Sequence, residues 1–313
     1  MKAIIINDFG GTDKLQYTEL PEPAIKENEV LVKVNAIAIN PVDVKTRAGK
    51  GVAGRIKNEM PIILGWDISG VVTATGSDVK EFSVGDEVFG MVNFPGHGKA
   101  YAEYVAAPAS HLAKKPANVT HQQAAATTLA ALTAYQALFQ QAALQKGQRV
   151  LVHAAAGGVG HFVVQLAKHI GAHVIGTSSA GNRDFVMELG ADEHVDYKNQ
   201  LFEEVVKDVD LVFDGVGGDM VRRSIQVVKP GGKIISIPTG VPAEVVDAAK
   251  ENGVNAFFFL VQSNGTDMAA LADLLERGII RPYVNHFDFS QMDLAHQQQE
   301  TGSTRGRIVL TLP

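Results

Sequence analysis

Val150, Leu151 and Val152 form a short apolar run, Ala154 to Gly160 are all small apart from Val159, and His161 to Lys168 have helical apolar spacing. A strand that runs through small residues straight into a helix leaves the N–H groups of the first helical turn unpaired, and their partial positive charge favours an anion. The spacing Ala154-x-x-Gly157-x-x-Gly160 is a variant of the dinucleotide fingerprint. Gly157, with Ala155, Ala156, Gly158 and Val159, lets the backbone approach a pyrophosphate, and Gly160 lets the helix pack tightly on the strand. A glycine triplet alone is weak evidence. Here it opens a series of alternating strands and helices, and that context turns it into a prediction of dinucleotide binding.

The series predicts strands over 149–153, 173–176, 211–213 and 233–237, with helices over 160–170, 182–189 and 220–228. This order implies a doubly wound parallel sheet covered by helices on both faces. An alanine-rich helix over about 121–144 leads into it, ended by Lys146-Gly147. Before that, short Val- and Ile-rich runs at 2–6, 29–38, 70–74, 87–91, 102–107 and 111–115 alternate with glycine and proline turns. They suggest a compact, mostly antiparallel β-barrel. After residue 263 come a helix at 268–277 and a last strand at 307–312. The last strand is expected to rejoin the barrel, which makes the α/β unit an insertion. The expected domains are 1–119 with 264–313, and 120–263.

The chain's 313 residues carry 28 Lys and Arg against 34 Asp and Glu, with no basic run, which argues against nucleic acid as a partner. It contains no cysteine, which excludes disulfides, thiolate metal sites and a cysteine nucleophile. No apolar stretch approaches the ~18 residues of a membrane span, and the apolar run at 3–6 is too short for a signal peptide. A cytoplasmic protein is expected.

The end of the second strand speaks to the nucleotide. An NAD site usually places an acid about 20 residues after the glycines. Here Gly176, Thr177, Ser178 and Ser179 occupy that place, Arg183 follows, and no acid precedes Asp184. Hydroxyls and a guanidinium suit a 2′-phosphate; the alternative is that Arg183 is an ordinary solvated helix residue. Two further loops belong at the carboxyl ends of strands, one with Gly215 and one with Pro238, Thr239 and Gly240. Tyr197 is either a cover for the adenosine or a core residue.

With these motifs in view, the chain resembles the medium-chain dehydrogenase/reductase superfamily, specifically its zinc-free quinone oxidoreductase branch, related to zeta-crystallin. The resemblance rests on Asn40-Pro41-Val42-Asp43 followed by Arg47-Ala48-Gly49, on 61–70 and 84–90, and on the Ala154–Gly160 turn. It implies a GroES-like barrel with a Rossmann domain inserted in it, and NADPH bound in the cleft between. It also implies that Asn40 and Asp43 line the nicotinamide side, with Asn40 able to donate to the acceptor oxygen, and that Thr127 and Thr133 contact the nicotinamide or its ribose.

Zinc-dependent members of the superfamily have a cysteine where this chain has Asn40 and a His-Glu pair where it has Trp66-Asp67. The expectation is therefore a metal-free enzyme that passes hydride to a quinone or related α,β-unsaturated carbonyl, with no evident general acid. An enoyl-thioester or alkenal reductase of the same fold, or a non-catalytic NADPH-binding sensor or structural protein, is the alternative. The apolar run 255–261 is expected at an exposed sheet edge, and the resemblance implies that two such edges pair in a homodimer.

Overall fold

A computed structural model describes residues 1–312, and the chain divides into two compact units: Met1–Leu132 with the segment from Gln262 onward, and Thr133–Val261. The first unit opens with β1 (Lys2–Ile6), β2 (Gln16–Glu19), β3 (Glu29–Ile39), β4 (Ile62–Ile63), β5 (Asp67–Thr75), β6 (Glu87–Met91), β7 (Tyr104–Pro108) and β8 (Leu112–Lys114). β1 pairs antiparallel with β2 and β4, and β3 pairs antiparallel with both β5 and β7. Val30, Val32 and Val34 alternate with the less buried Leu31, Lys33 and Asn35, which directs one face of β3 into the core. Register shifts between Leu31 and Val32, and again between Val34 and Ala36, bend this long strand so that it can serve partners on both sides.

The helix His121–Tyr135 lays Ala125 and Ala126 against Ala36, Ala38 and Val309. Small side chains on both surfaces allow that close approach. The contact ties the start of the helix to the first unit, so the boundary falls at Leu132 instead of residue 119. The helix continues as a wider π-helical segment, Gln136–Ala142, and stops where Ala143 turns left-handed at φ 52°. Gly147, expected to end the helix, lies in the turn beyond it at φ 83°.

The second unit contains β9 (Arg149–Val152), β10 (His173–Ser178), β11 (Glu193–Asp196), β12 (Val209–Asp214), β13 (Val228–Ser236) and β14 (Asn255–Phe258). They form one sheet in the order β11-β10-β9-β12-β13-β14, and every neighbouring pair is parallel. From β9 the chain winds outward through β10 and β11, then crosses back to β12 and winds the other way. The crevice at that reversal, at the carboxyl ends of β9 and β12, is where sheets of this kind hold ligands. The helix Gly160–Ile170 buries Phe162, Val163, Val164 and Leu166 and is capped by Gly171 at φ 90°.

The chain then returns to the first unit with β15 (Val284–Asp288) and β16 (Arg307–Thr311). β16 pairs antiparallel with β3, as expected of the last strand, and parallel with β15. A Rossmann unit inserted in a GroES-like, mostly antiparallel barrel unit is the result.

Candidate functional site

In the second unit the turn after β9 is set by sterics. A Cβ at Gly160 would lie 2.1 Å from the Ala154 carbonyl oxygen, so no larger residue fits there without moving the helix off the strand. Ala154 itself takes the left-handed conformation, at φ 53°, a strain that is tolerated only where the surroundings enforce it. The Ala155 N–H donates to the Thr177 carbonyl at 2.9 Å, and the Gly157 N–H donates to that of Ala154 at 2.9 Å. Ala156 is buried, while Gly157, Gly158 and Val159 remain half-buried at the helix start.

Of the expected neighbouring loops, the one with Gly215 lies against this turn, and the one with Pro238 and Thr239 lies against Gly217 of the first. Added Cβ atoms would lie 3.5 Å from the His153 carbonyl at Gly215, and 3.3 Å from both Pro238 and Thr239 at Gly217. Gly240 follows with open space around it. Asp214 locks the loop after β12: its carboxylate accepts from the N–H groups of Val216 (2.9 Å) and Gly217 (3.0 Å) and from the Ser236 hydroxyl (2.8 Å).

Beneath the turn lies His153, whose Nδ1 is 3.2 Å from the Thr177 hydroxyl and whose Nε2 is 3.1 Å from that of Ser224. Ser224 spends its proton on the Met220 carbonyl. Nε2–H must therefore donate to Ser224, which leaves Nδ1 to accept from Thr177. Burial holds this ring's pKa down to about 4, so it is neutral. The Thr177 proton is thus committed inward, and Thr177 shapes the site without offering a donor.

Ser178 Oγ lies 2.7 Å from His194 Nε2. The Ser179 hydroxyl accepts from Asn182 Nδ2 at 3.3 Å. The Arg183 side chain is 62% exposed and meets the flanking Asp184 at 3.5 Å. Tyr197, at 55% exposed, is not a core residue. Opposite Ser178 in the parallel register stands Asp196, an acid that no reading along β10 alone could find. A turn closed to any Cβ at Gly160, an open helix start and an exposed guanidinium fit the phosphates of NADPH.

In the first unit a buried polar network surrounds Asp67. Its Oδ2 accepts from Asn40 Nδ2 at 2.8 Å and from Arg307 Nη2 at 2.9 Å, and its Oδ1 accepts from the Leu129 N–H at 3.0 Å. Asn40 caps the helix Pro41–Arg47, and its backbone N–H donates to Asp43 Oδ2 at 2.5 Å. Asn40 and Asp43 have no exposed surface. Their Oδ1 atoms are buried without hydrogen-bond partners. Burial pushes the Asp43 carboxyl well above the usual carboxylate range, opposed by the Asn40 N–H and reinforced by the charge of Asp67. Burial also raises Asp67, with Arg307 as the chief opposing influence.

A second arm of the network runs from Asp43 to the surface. Arg47 Nη1 lies 2.9 Å from His296 Nδ1, and a guanidinium can only donate, so Nδ1 accepts and Nε2 carries the proton. That proton points at the Tyr101 hydroxyl, 3.0 Å away. The phenol is left to face Asp43, which raises its pKa beyond the effect of burial. Arg47 also pairs with the partly exposed Glu300. Nothing in the sequence marked Tyr101, His296 or Arg307.

Thr127 and Thr133 are both buried. The Thr127 hydroxyl donates to the Gln123 carbonyl at 2.8 Å. At 3.6 residues per turn the two threonines project roughly 120° apart, so they do not share a helix face. The residues at the zinc positions do not fit a zinc ion. The Trp66 indole has no acceptor and donates to the Gly96 carbonyl at 2.7 Å, while the Asp67 oxygens are already held by Asn40, Arg307 and Leu129.

Two family profiles match the chain: an alcohol dehydrogenase GroES-like domain over residues 26–117, and a zinc-binding dehydrogenase over residues 189–310. The chain is 36% identical to the chloroplastic NADPH-dependent alkenal/one oxidoreductase of Arabidopsis thaliana, over 99% of this chain and 79% of that one. Its structure is similar to that of the quinone oxidoreductase from Coxiella burnetii, at 40% identity and a TM-score of 0.95, covering 100% of this chain and 99% of that one. It is also similar to the Escherichia coli quinone oxidoreductase complexed with NADPH, at 27% identity and a TM-score of 0.87, over 99% and 100% of the two chains. No helix among the described residues is long and apolar enough to cross a membrane.

Proposed function

The chain belongs to the medium-chain dehydrogenase/reductase family, in its quinone oxidoreductase-like branch, and from that membership we infer an NADPH-dependent oxidoreductase whose acceptor is a quinone or a related α,β-unsaturated carbonyl. The observation that carries the reading is the turn in which only glycine fits at Gly160, at the reversal point of the parallel sheet. When bound, NADPH supplies the hydride. The helix start at 157–160 would hold its pyrophosphate, the Asp214-locked loop with Pro238 and Thr239 would flank it, and Ser178, Ser179 and Arg183 would meet the 2′-phosphate, with Tyr197 over the adenosine.

The enzyme works without zinc in this reading. A carboxylate held by a guanidinium and two N–H donors offers a metal little, and an acceptor already activated by conjugation needs no Lewis acid. Asn40 and Asp43 act as positioning residues: Asp43 accepts from the Asn40 N–H at the start of the helix Pro41–Arg47, and the Asn40 side chain holds Asp67 in place. The chain is a homodimer in this reading, joined through the exposed edge strand β14, where Phe258 is 39% exposed. Light scattering that finds a monomer would remove that part.

The test is an acceptor panel. Purified protein is given NADPH or NADH with a benzoquinone, an alkenone and an enoyl thioester, and nicotinamide oxidation is followed. Turnover of the quinone or the alkenone with NADPH supports the reading. Tight NADPH binding with no turnover of any acceptor contradicts it.

A further inference from the structure

His194 sits at the one place in the expected 2′-phosphate region where a neutral side chain can gain a charge. Its Nε2 lies 2.7 Å from Ser178 Oγ, and that hydroxyl donates to the Ser179 carbonyl at 3.2 Å. A hydroxyl has one proton, so His194 Nε2–H is the donor to Ser178. Ser178 can then swing its own proton to an arriving anion while the ring keeps hold of its oxygen.

Two charges reach the ring from the elements packed around it: Asp196, on β11 itself, and Arg183, on the helix Arg183–Glu188 that follows β10. Formally they cancel. Asp196 is tied down, accepting from Asn199 Nδ2 at 2.5 Å and the Lys198 N–H at 3.2 Å, so it is not the group that adapts. One more positive charge would favour a phosphate docking beside this formally neutral pair, and His194 is placed to supply it.

We propose that His194 reads the 2′-phosphate by taking up a proton as the nucleotide binds, so that selectivity for NADPH over NADH is coupled to pH. The inference rests on the 2′-phosphate being held at Ser178–Arg183. Burial holds the free ring below the ordinary histidine value, with Asp196 opposing and Arg183 assisting. A dianion at hydrogen-bond range raises it. The sign follows: a group whose pKa rises on binding makes binding stronger as pH falls, by at most about tenfold per pH unit for one proton. The effect is readable above about pH 6, where the phosphate keeps its second charge.

Calorimetry on the whole chain tests this with adenosine 2′,5′-bisphosphate and 5′-AMP, each titrated in buffers of contrasting ionisation enthalpy. The bisphosphate should bind with uptake of a fraction of a proton, up to one, and 5′-AMP with none. His194→Gln, whose amide can still donate to Ser178, should abolish the uptake. In the unaltered protein, an NMR titration of the His194 ring should show its pKa rising when the bisphosphate is present, with no variant needed. Equal proton uptake in the variant, or a ring that does not respond, overturns the inference and leaves NADPH preference standing. Equal affinity for the two ligands at every pH overturns both.

Discussion

Arg307 Nη2 lies 2.9 Å from Asp67 Oδ2, and both side chains are sealed from solvent, 2% and 0% exposed. The pair joins β16 to β5 across most of the sequence. It also holds the last strand in register with the helix His121–Tyr135, because Arg307 Nε donates to the Ala126 carbonyl at 3.2 Å. Breaking such a pair from one side leaves an uncompensated buried charge, which costs about 3–5 kcal/mol. Asp67→Asn and Arg307→Met should each lose stability on that scale in denaturant unfolding. The double variant Asp67→Asn with Arg307→Met should lose clearly less than the two single losses added together; a double variant as unstable as that sum contradicts the pairing.

Two buried histidines should make acid destabilising at pH values above the usual carboxylate range. His153 is held down to about 4 and His296 to about 3, each mainly by burial. An unfolded histidine protonates near pH 6.5. As pH falls below that value the unfolded state binds protons that the folded state refuses, so stability drops, by up to about 1.4 kcal/mol per pH unit for each ring. The loss runs down to about pH 4 for His153 and pH 3 for His296. Asp43 has the opposite sign: its raised pKa makes stability fall as pH rises through the interval above the usual carboxylate value. The two effects oppose each other over a shared interval, and melting temperatures against pH for the unaltered chain and for His296→Gln separate them: the variant should lose less stability on acidification.

Much of the parallel unit was legible locally. The helix over 160–170 and the glycine turn declare themselves within a few residues, because a helix start and its packing glycine are neighbours in the chain. The first-unit network was not. Asp67 and Arg307, or Tyr101 and His296, meet only after the sheet closes, and no local pattern marks a buried arginine. Short edge strands such as β2, β4 and β15 also escaped, since two to five residues carry too little alternation. Asp196 was invisible for a different reason: it faces Ser178 through the register of two parallel strands.

Gly160→Ala should be far more damaging than Gly157→Ala. The added methyl meets the Ala154 carbonyl at 2.1 Å in the first case and at 3.2 Å in the second, where a small shift suffices. The expected result is loss of NADPH binding, with a lowered melting temperature, for Gly160→Ala and weakened binding for Gly157→Ala. Fluorescence titration with NADPH gives the comparison.

Arg183→Ala should lower the NADPH-to-NADH ratio of kcat/KM roughly tenfold, the lower end for a hydrogen bond to a charged group, since the side chain is mostly solvated. An unchanged ratio would mean that Arg183 only faces water.

Hydride transfer to a conjugated acceptor is tested most directly by following the atom that moves. An alkenone is reduced in ordinary water with NADPH carrying deuterium at the transferable C4 position, and the product is examined by NMR. Direct hydride transfer predicts one deuterium at the β-carbon and a solvent-derived proton at the α-carbon, with one NADPH oxidised per product formed. A product whose β-hydrogen comes from solvent, or NADPH left unoxidised with both the alkenone and a benzoquinone, would contradict it.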